Sequence, residues 1–174
     1  MVVGGGFIGI EVAENLKESG VDVTLVEASD QLMAPFDRDM ASFIHAQVRK
    51  NGVHLMLGHT GEGFADTDQG IAVRLKGSGT ISADIVVMAI GVTPETALAK
   101  AAGLAVGIRG SIVVNNRMET SVPDIYAVGD AVQIKNFVTN TDTLISLAVP
   151  ANKQGRIAAD NICGGDSHYT GGQG

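Results

Sequence analysis

A glycine-rich run at the start of the chain constrains the fold more than any other feature. Two valines precede three glycines in the spacing G-x-G-x-x-G: Val2, Val3, Gly4, Gly6 and Gly9. This spacing is typical of a tight turn between a buried strand and a helix. The first glycine makes the turn, the second lets a ligand approach the backbone, and the third lets the helix pack closely on the strand. The free N–H groups at the start of such a helix attract phosphates.

The residues after this run continue the pattern of a dinucleotide-binding unit. An amphipathic helix that ends at Gly20 is predicted, with an apolar face formed by Ile8, Val12 and Leu16. The next predicted strand, 21–26, is followed by Glu27, an acid about 20 residues after the glycines, where a ribose diol would be held. The pattern predicts dinucleotide binding. A purely structural strand–turn–helix is the alternative, because glycine turns are common in a chain with 23 glycines.

The remaining first half continues as an α/β pattern. A second helix is predicted from Asp37 to Asn51, with an apolar face formed by Met40, Phe43, Ile44 and Val48. A short strand at 53–57 completes a βαβαβ unit, and the segment 58–83 predicts a small antiparallel meander around a polar turn. The apolar run at 84–91 is typical of a parallel strand that is buried on both faces.

The second half predicts shorter elements. A short helix at 95–102 is followed by predicted strands at 111–115 and 125–128, and the last helix extends from Pro150 to Ile162. The inward face of this helix is predicted to be Ala151, Ile157, Ala158 and Ile162. The predicted fold class is therefore α/β, a Rossmann-like doubly wound parallel sheet with a small antiparallel β-meander.

Charge and cysteine content limit the partners and the compartment. The net charge of −7 disfavours nucleic acid and anionic membranes, and no apolar run approaches the roughly 20 residues of a membrane span. The single cysteine, Cys163, cannot form an internal disulfide, and no basic leader precedes the glycines, so a cytoplasmic protein is predicted. Because only two valines precede Gly4, we expect the chain to be a piece of a longer protein.

Four ordered motifs resemble the pyridine nucleotide-disulfide oxidoreductase family of flavoenzymes. They are GGGFIGIE at 4–11, the acid Glu27, AIGVTP at 89–94 and TSVPDIYAVGD at 120–130. The resemblance covers nearly the whole chain, and four motifs in order are far more specific than one. The segment 147–162 is most similar to the coenzyme A disulfide reductase branch, with NADH oxidases and peroxidases of the same family close behind.

The resemblance implies a three-part homodimeric enzyme, in which an NAD(P)H domain interrupts an FAD domain and a dimerisation domain follows. On this map, residues 1–115 form the NAD(H)-binding domain, 116–165 form the C-terminal segment of the FAD domain, and 166–174 form a frayed tail that leads to the dimerisation domain. The family's first FAD-binding half and its redox cysteine have no counterpart in the chain. The fragment itself is therefore expected to be inactive and to bind no metal.

The resemblance also implies the ligand contacts. NAD(H) is expected to contact Gly4, Gly6, Phe7, Ile8, Gly9, Glu11, Glu27 and Gly91, and FAD in the full-length enzyme is expected to contact Gly129 and Asp130. No basic residue lies between Ala28 and Asp37, which favours NAD over NADP. Each acid also has a structural alternative. Glu27 could be a solvated acid at a strand end, Glu11 a first-turn acid that the helix dipole favours, and Asp130 a turn aspartate.

No residue of the chain is predicted to be catalytic. Cys163 follows the last helix, where the helix dipole disfavours a thiolate, so a structural or free thiol is predicted. Four histidines show no metal-ligand spacing, namely His45, His54, His59 and His168, and three methionines are predicted to be core, namely Met40, Met56 and Met88. Three functions stay open: the NADH-binding part of an FAD-dependent reductase of a small-molecule disulfide, an NADH oxidase or peroxidase, and a non-catalytic NAD-binding module.

Overall fold

A parallel sheet organises the first of the two units into which the chain divides, Met1–Gly91 and Val92–Gly174. The computed structural model describes residues 1–173. In chain order the first unit contains β1 (Val2–Val3), α1 (Phe7–Glu18), β2 (Thr24–Glu27), α2 (Arg38–Lys50), β3 (His54–Leu57), β4 (Gly61–Thr67), β5 (Gly70–Leu75), β6 (Gly79–Ala83) and β7 (Val87–Met88). The parallel sheet has the order β3-β2-β1-β7, and β4, β5 and β6 form an antiparallel meander. The predicted α/β fold with its small meander is confirmed.

Side-chain alternation along β2 explains the layers of this unit. Leu25 is fully buried in a cluster with Val2 and Ala13, against which apolar side chains of α1 and α2 pack. Its neighbour Val26 points to the opposite face, where it forms a second cluster with Val73 and Leu75 of the meander. The sheet is therefore covered by helices on one face and by the meander on the other.

The predicted apolar faces of both helices are confirmed in part. In α1, Val12 and Leu16 pack on the core as predicted. Ile8 is 52% exposed, because the buried stripe of Gly9 and Ala13 begins about 100° around the helix from it. In α2, the predicted boundaries hold, with Asp37 at the N-cap and Asn51 at the C-cap. Of its predicted face, Ile44 and Val48 pack on the core, while Met40 and Phe43 are exposed.

The predicted strand at 84–91 is much shorter and more exposed than its apolar sequence indicates. Only Val87–Met88 pairs, in parallel register with β1. Ile85 and Ile90 are about 70% exposed, and Met88 is half exposed rather than part of the core. β7 is an edge strand, with Val87 packed on the helix side of the sheet and Val86 on the meander side, and the rest of the apolar run extends past the two paired residues. Met56, by contrast, packs against a core cluster as predicted, and it does so on the meander side of the sheet.

The second unit combines a small three-stranded sheet with one long helix. Its elements are α3 (Ala97–Ala101), a 3-10 turn at Ile108–Gly110, β8 (Ile112–Val113), β9 (Val132–Lys135), β10 (Asp142–Thr143) and α4 (Ala148–Ile162). Strand β9 is central and pairs with β8 in parallel and with β10 antiparallel. The core consists of Met118, Val132, Ile134, Ile145, Ala158 and Tyr169. None of the described helices is long and apolar enough to cross a membrane.

Two predictions for the second unit are wrong. The segment 125–128 is not a strand but a single antiparallel bridge between Tyr126 and Glu119, because left-handed residues on either side, Asp124 (φ 63) and Gly129 (φ 87), end the extended backbone. The tail is not frayed over its described part. Tyr169 is buried and its N–H donates to the carbonyl of Asn116 at 2.7 Å, while the N–H of Gly172 donates to Lys135 at 3.0 Å.

Helix α4 buries two amide side chains that its apolar pattern does not reveal. Pro150 and Ala158 are buried as part of one stripe, and the same stripe contains Gln154 and Asn161. Ile162, a predicted core residue, is 63% exposed. The division between the compact units falls at Gly91, whereas the functional domain map of 1–115, 116–165 and 166–174 stays a prediction.

Candidate functional site

The residues 4–9, here called the glycine turn, connect β1 to α1. Gly4 has φ 113, and a Cβ built on it would lie 2.2 Å from the carbonyl oxygen of Ala89. A Cβ on Gly9 would lie 1.8 Å from the carbonyl oxygen of Gly4, so α1 packs directly on the turn. Neither position can therefore carry a side chain without moving the backbone.

Gly6 differs from both of its partners in the turn. A Cβ built on it meets no atom within 4 Å, and the residue is exposed with an extended backbone (φ −81, ψ −172). It is the N-cap of α1, and as a glycine it has no side chain that could cap the helix. The first N–H groups of a helix have no partner within the helix. The space beside Gly6 is thus open, polar and at the positive end of the helix dipole.

Two apolar side chains flank this open space. Phe7 and Ile8 begin α1 and are both more than half exposed. Phe7 packs edge-to-face on Phe36, with ring centroids 6.5 Å apart. Glu11 is exposed and lies in the second turn of α1, not in the first, because the helix begins at Phe7. The first turn contains no acid, so the dipole argument for Glu11 is weaker than predicted.

Glu27, the last residue of β2, faces the glycine turn. Its Oε2 accepts a hydrogen bond from the N–H of Gly5 at 2.6 Å, and its Oε1 accepts one from the N–H of Ser29 at 2.7 Å. Each carboxylate oxygen can accept a second bond. The first basic residue after Glu27 along the chain, Arg38, pairs with Asp30 at 2.8 Å. Negative charge therefore dominates beside Gly5.

The residues 28–36, here called the β2–α2 loop, hold the turn from the other side. The N–H of Met33 donates to the carbonyl of Gly5 at 2.9 Å, and the side chain of Leu32 is fully buried. The N–H of Leu32 donates to Nε2 of His45 at 2.9 Å. These contacts were not predicted, because no spacing reveals an imidazole that accepts a bond from a loop 13 residues away.

Gly91 lies at the same sheet edge as the glycine turn. The N–H of Ala89 donates to the carbonyl of Val3 at 2.7 Å, so the chains leave β1 and β7 side by side. Gly91 is exposed, has φ 113 and would place a Cβ in open space. The structure thus brings Gly4, Gly6, Gly9, Glu27 and Gly91 to the carboxyl edge of one sheet, where open α/β sheets bind ligands.

In the second unit, Gly129 and Asp130 form a separate turn. The N–H of Gly129 donates to Oε1 of Gln154 at 2.7 Å, and this glutamine is 1% exposed. Asp130 is exposed and lines a cavity of about 260 Å³ together with Thr93, Arg109 and Ser146. Its carboxylate is therefore available to a ligand, while the N–H of the preceding glycine is already used.

Other candidate groups carry no site in residues 1–173. Cys163 is free, exposed and at the C-cap of α4. No group of three or more His, Cys, Asp or Glu side chains is arranged to hold a metal ion in the described part of the chain. A cavity of about 760 Å³ lies between α1 and α2, lined by Ala13, Ile44 and Val48 among others, and the glycine turn does not contribute to it.

Comparison with known proteins identifies relatives that share this architecture. The family model described as pyridine nucleotide-disulphide oxidoreductase matches residues 1–155. The reduced CoADR-RHD of Bacillus anthracis is 49% identical with a TM-score of 0.92, over 98% of this chain and 30% of that chain. An NADH oxidase of Methanocaldococcus jannaschii is 40% identical over 97% of this chain and 37% of its own length. The chain thus spans little more than a third of that relative.

A third relative has been solved in two forms. The water-forming NADH oxidase from Lactobacillus brevis, bound to NADH, is 34% identical with a TM-score of 0.91, over 99% of this chain and 38% of that chain. An engineered mutant, described as an NADPH oxidase and bound to NADPH, is 32% identical over the same shares, again with a TM-score of 0.91. Three of its five replacements matter here. A glycine is changed to alanine, an aspartate eighteen positions later is also changed to alanine, and the alanine that follows this aspartate is changed to arginine.

Proposed function

Because the chain belongs to the pyridine nucleotide-disulphide oxidoreductase family, we propose that its first unit binds NAD(H) at the glycine turn. One observation carries the proposal. A carboxylate oxygen of Glu27 lies 2.6 Å from the nitrogen of Gly5, next to the open space beside Gly6. An acid and a helix N-terminus side by side are suited to the ribose and the pyrophosphate of one dinucleotide.

Each residue of the turn has a distinct part in this binding. The pyrophosphate approaches over Gly6 and accepts bonds from the free N–H groups of the first turn of α1. Gly4 and Gly9 allow the close packing of α1 on the turn, and this packing orients the N–H groups toward the pyrophosphate. The oxygens of Glu27 keep their bonds to Gly5 and Ser29 and use their remaining lone pairs for the ribose hydroxyls. Phe7, Ile8, Glu11 and Gly91 line the path toward the nicotinamide.

The same site favours NAD(H) over NADP(H). A 2′-phosphate beside Glu27 would meet a carboxylate, and no basic residue lies between Ala28 and Asp37 to bind it. In this chain Gly9 and Glu27 are eighteen residues apart and Ala28 follows, the same order and interval as three of the replacements in the engineered NADPH oxidase. This correspondence supports the role of Glu27 as the residue that selects the unphosphorylated ribose.

In the full-length protein, we infer an FAD-dependent disulfide reductase that resembles coenzyme A disulfide reductase. Residues 1–115 would bind NADH and residues 116–165 would return to the FAD domain, with Gly129 and Asp130 beside the flavin. Gly129 and Asp130 would help to hold FAD there, and the bound flavin would supply the electron transfer between NADH and a small-molecule disulfide. The 49% identity to the CoADR-RHD of Bacillus anthracis supports this assignment, and we expect a cytoplasmic homodimer.

Two alternative functions make different predictions for the full-length protein. The NADH oxidases of Methanocaldococcus jannaschii and Lactobacillus brevis favour an oxidase, which differs in what reoxidises the flavin. A non-catalytic NAD-binding module would follow if no flavin is involved. Spectra and NADH consumption of the full-length protein with coenzyme A disulfide and with oxygen distinguish the three.

Calorimetric titration of the chain with NADH and NADPH tests the nucleotide assignment. NADH should bind more tightly, and Glu27→Ala should weaken NADH binding by ~1–3 kcal/mol because the ribose hydroxyls lose their partner. Glu18→Ala, an exposed acid at the far end of α1, is the matched control and should change nothing. Equal or tighter binding of NADPH by the unmodified chain would overturn the assignment.

A further inference from the structure

One imidazole controls the loop that supports the glycine turn. His45 lies on α2 and its Nε2 accepts the N–H of Leu32 at 2.9 Å. A ring nitrogen that accepts a hydrogen bond must be unprotonated, so the proton of the neutral ring is on Nδ1. Protonation of Nε2 would replace this attraction by two opposed donors. The bond therefore exists only while His45 is neutral.

The bond matters because the next residue holds an uncommon backbone conformation. Met33 has φ 53, in the left-handed region that residues other than glycine rarely adopt. Such a conformation persists only where its surroundings fix it. Here the fixed points are the buried side chain of Leu32, the bond from Leu32 to His45, and the bond from Met33 to the carbonyl of Gly5.

Through Met33 the loop positions the central peptide of the glycine turn. The carbonyl of Gly5 accepts the N–H of Met33, and the N–H of Gly5 donates to Glu27. A Cβ built on Gly5 would lie 2.4 Å from Cδ2 of Leu32, which shows how closely the loop covers the turn. Any shift of Leu32 or Met33 therefore moves the peptide that precedes Gly6.

We infer that His45 is a positioning residue for the nucleotide site, and that its protonation weakens NADH binding by releasing the β2–α2 loop from the glycine turn. This inference rests on the proposed function, because it assumes that NADH binds there. His45 does not touch the nucleotide. It acts through Leu32, Met33 and Gly5, in that order.

The charges around the ring set the pH range. Burial lowers the pKa of His45 below its ordinary value of 6.5, and Arg49 and Arg38 on its own helix lower the pKa further, whereas Asp30 of the loop raises it. Because the folded protein favours the neutral ring, the bond is present at neutral pH and is lost as the pH falls through the lowered pKa of His45. Affinity should therefore decrease on the acid side.

Calorimetric titration of the chain with NADH between pH 7.5 and pH 5.0 tests the inference. This interval lies above the ordinary pKa values of Asp and Glu, about 3.9 and 4.3. The dissociation constant should rise about fivefold toward pH 5.0, which corresponds to one lost hydrogen bond. His45→Gln keeps an oxygen acceptor that does not titrate, so its affinity should stay near the neutral-pH value throughout. His45→Leu should bind about fivefold more weakly at every pH.

Two controls make the outcomes separable. His54→Gln removes an exposed histidine of β3 and should keep the pH dependence of the unmodified chain. In the nucleotide-free chain, the amide resonances of Leu32 and Met33 should titrate with the imidazole of His45. Absence of NADH binding at every pH would overturn the proposed function. Three outcomes would overturn this inference alone. They are an NADH affinity that does not depend on pH, a pH dependence that persists in His45→Gln, and an amide resonance of Leu32 that does not shift when His45 titrates.

Discussion

Candidate ligand contacts lie in two turns of the chain, the glycine turn and the turn at Gly129 and Asp130, and the two turns differ in which backbone N–H groups they leave free. At the glycine turn, the open space beside Gly6 and the first N–H groups of α1 have no side chain over them. At the second turn, the N–H of Gly129 already donates to Gln154, and only the carboxylate of Asp130 faces outward. The first turn can hold an anion by its backbone, whereas the second offers a single acceptor.

This difference shows that a glycine in a family motif can serve two purposes. Gly6 is needed for access, because its backbone angles suit any residue and its Cβ would meet no protein atom. Gly129 is needed for conformation, because it has φ 87. Substitutions should therefore distinguish the two turns. A change in the glycine turn should abolish ligand binding without unfolding the protein, whereas a change in the turn at Gly129 should lower stability without altering NADH affinity.

Replacement of Gly6 by valine should have the largest effect. The added side chain would occupy the space that the pyrophosphate needs, so the dissociation constant for NADH should rise about a hundredfold or more. The fold should persist, because the backbone angles of Gly6 are ordinary for valine. Calorimetry measures the affinity and circular dichroism the fold.

The matched control for that variant is Gly155→Val, since Gly155 of α4 also leaves space for a Cβ. It should bind NADH like the unmodified chain. A folded Gly6→Val protein that retains its affinity would show that the glycine turn is only structural.

Gln154→Leu should have the next largest effect, on stability. Leucine is similar in size but removes the acceptor, so the partly buried N–H of Gly129 loses its partner at a cost of ~1 kcal/mol in the free energy of unfolding. Urea unfolding can be followed by tyrosine fluorescence, because the chain has no Trp and both of its tyrosines, Tyr126 and Tyr169, are in the second unit. NADH affinity should not change.

Lys153→Leu is the control for this variant, because it places the same side chain at an exposed neighbouring position. An unchanged unfolding midpoint for Gln154→Leu would mean that the second turn does not depend on its glutamine. Weakened NADH binding in Gln154→Leu would contradict the assignment of the nucleotide site to the first unit.

The sequence predicted the elements whose signals are local and missed those that depend on tertiary context. The spacing of Gly4, Gly6 and Gly9 and the caps of α2 are local signals, and the structure contains these elements as expected. The stripe of α1 was misplaced at Ile8, because its closest contact is made by small residues rather than by large apolar ones. The His45 bond and the buried Gln154 required distant partners that no periodicity encodes.

The segment that contains Asp130 shows the same limit. Residues 125–128 are all apolar or aromatic, whereas β9 (Val132–Lys135) alternates β-branched and polar residues, but only the second segment is a strand. Propensity could not choose between them, since the choice depends on the left-handed residues Asp124 and Gly129. The ligand contacts assigned to Gly129 and Asp130, like those of the first unit, stay predictions until binding is measured.

Lowering the pH is expected to have a smaller effect on the stability of the second unit. Hydrogen bonds from Asn115 and then from Arg117 lower the pKa of Glu119 below its ordinary value of 4.5. A carboxyl group with a lowered pKa stabilises the fold above that value, and this contribution is lost as the pH falls through and below it. The urea midpoint, followed by tyrosine fluorescence, should decrease from pH 6 to pH 4 less in Glu119→Gln than in the unmodified chain. Asp124→Asn, which suits the positive φ, is the control.

The smallest expected effect is none at all: the 174-residue chain should retain no FAD. A flavin dinucleotide needs its own cradle for a pyrophosphate, and the chain contains one G-x-G-x-x-G spacing, which the proposal assigns to NAD. The second turn can offer the carboxylate of Asp130, and a hydrogen bond contributes only ~1 kcal/mol net, far below the roughly 8 kcal/mol of micromolar binding. A visible spectrum after incubation with FAD and desalting measures retention. Flavin retained at one per chain would show that the second turn belongs to a complete site, and the contrast between the two turns would then be wrong.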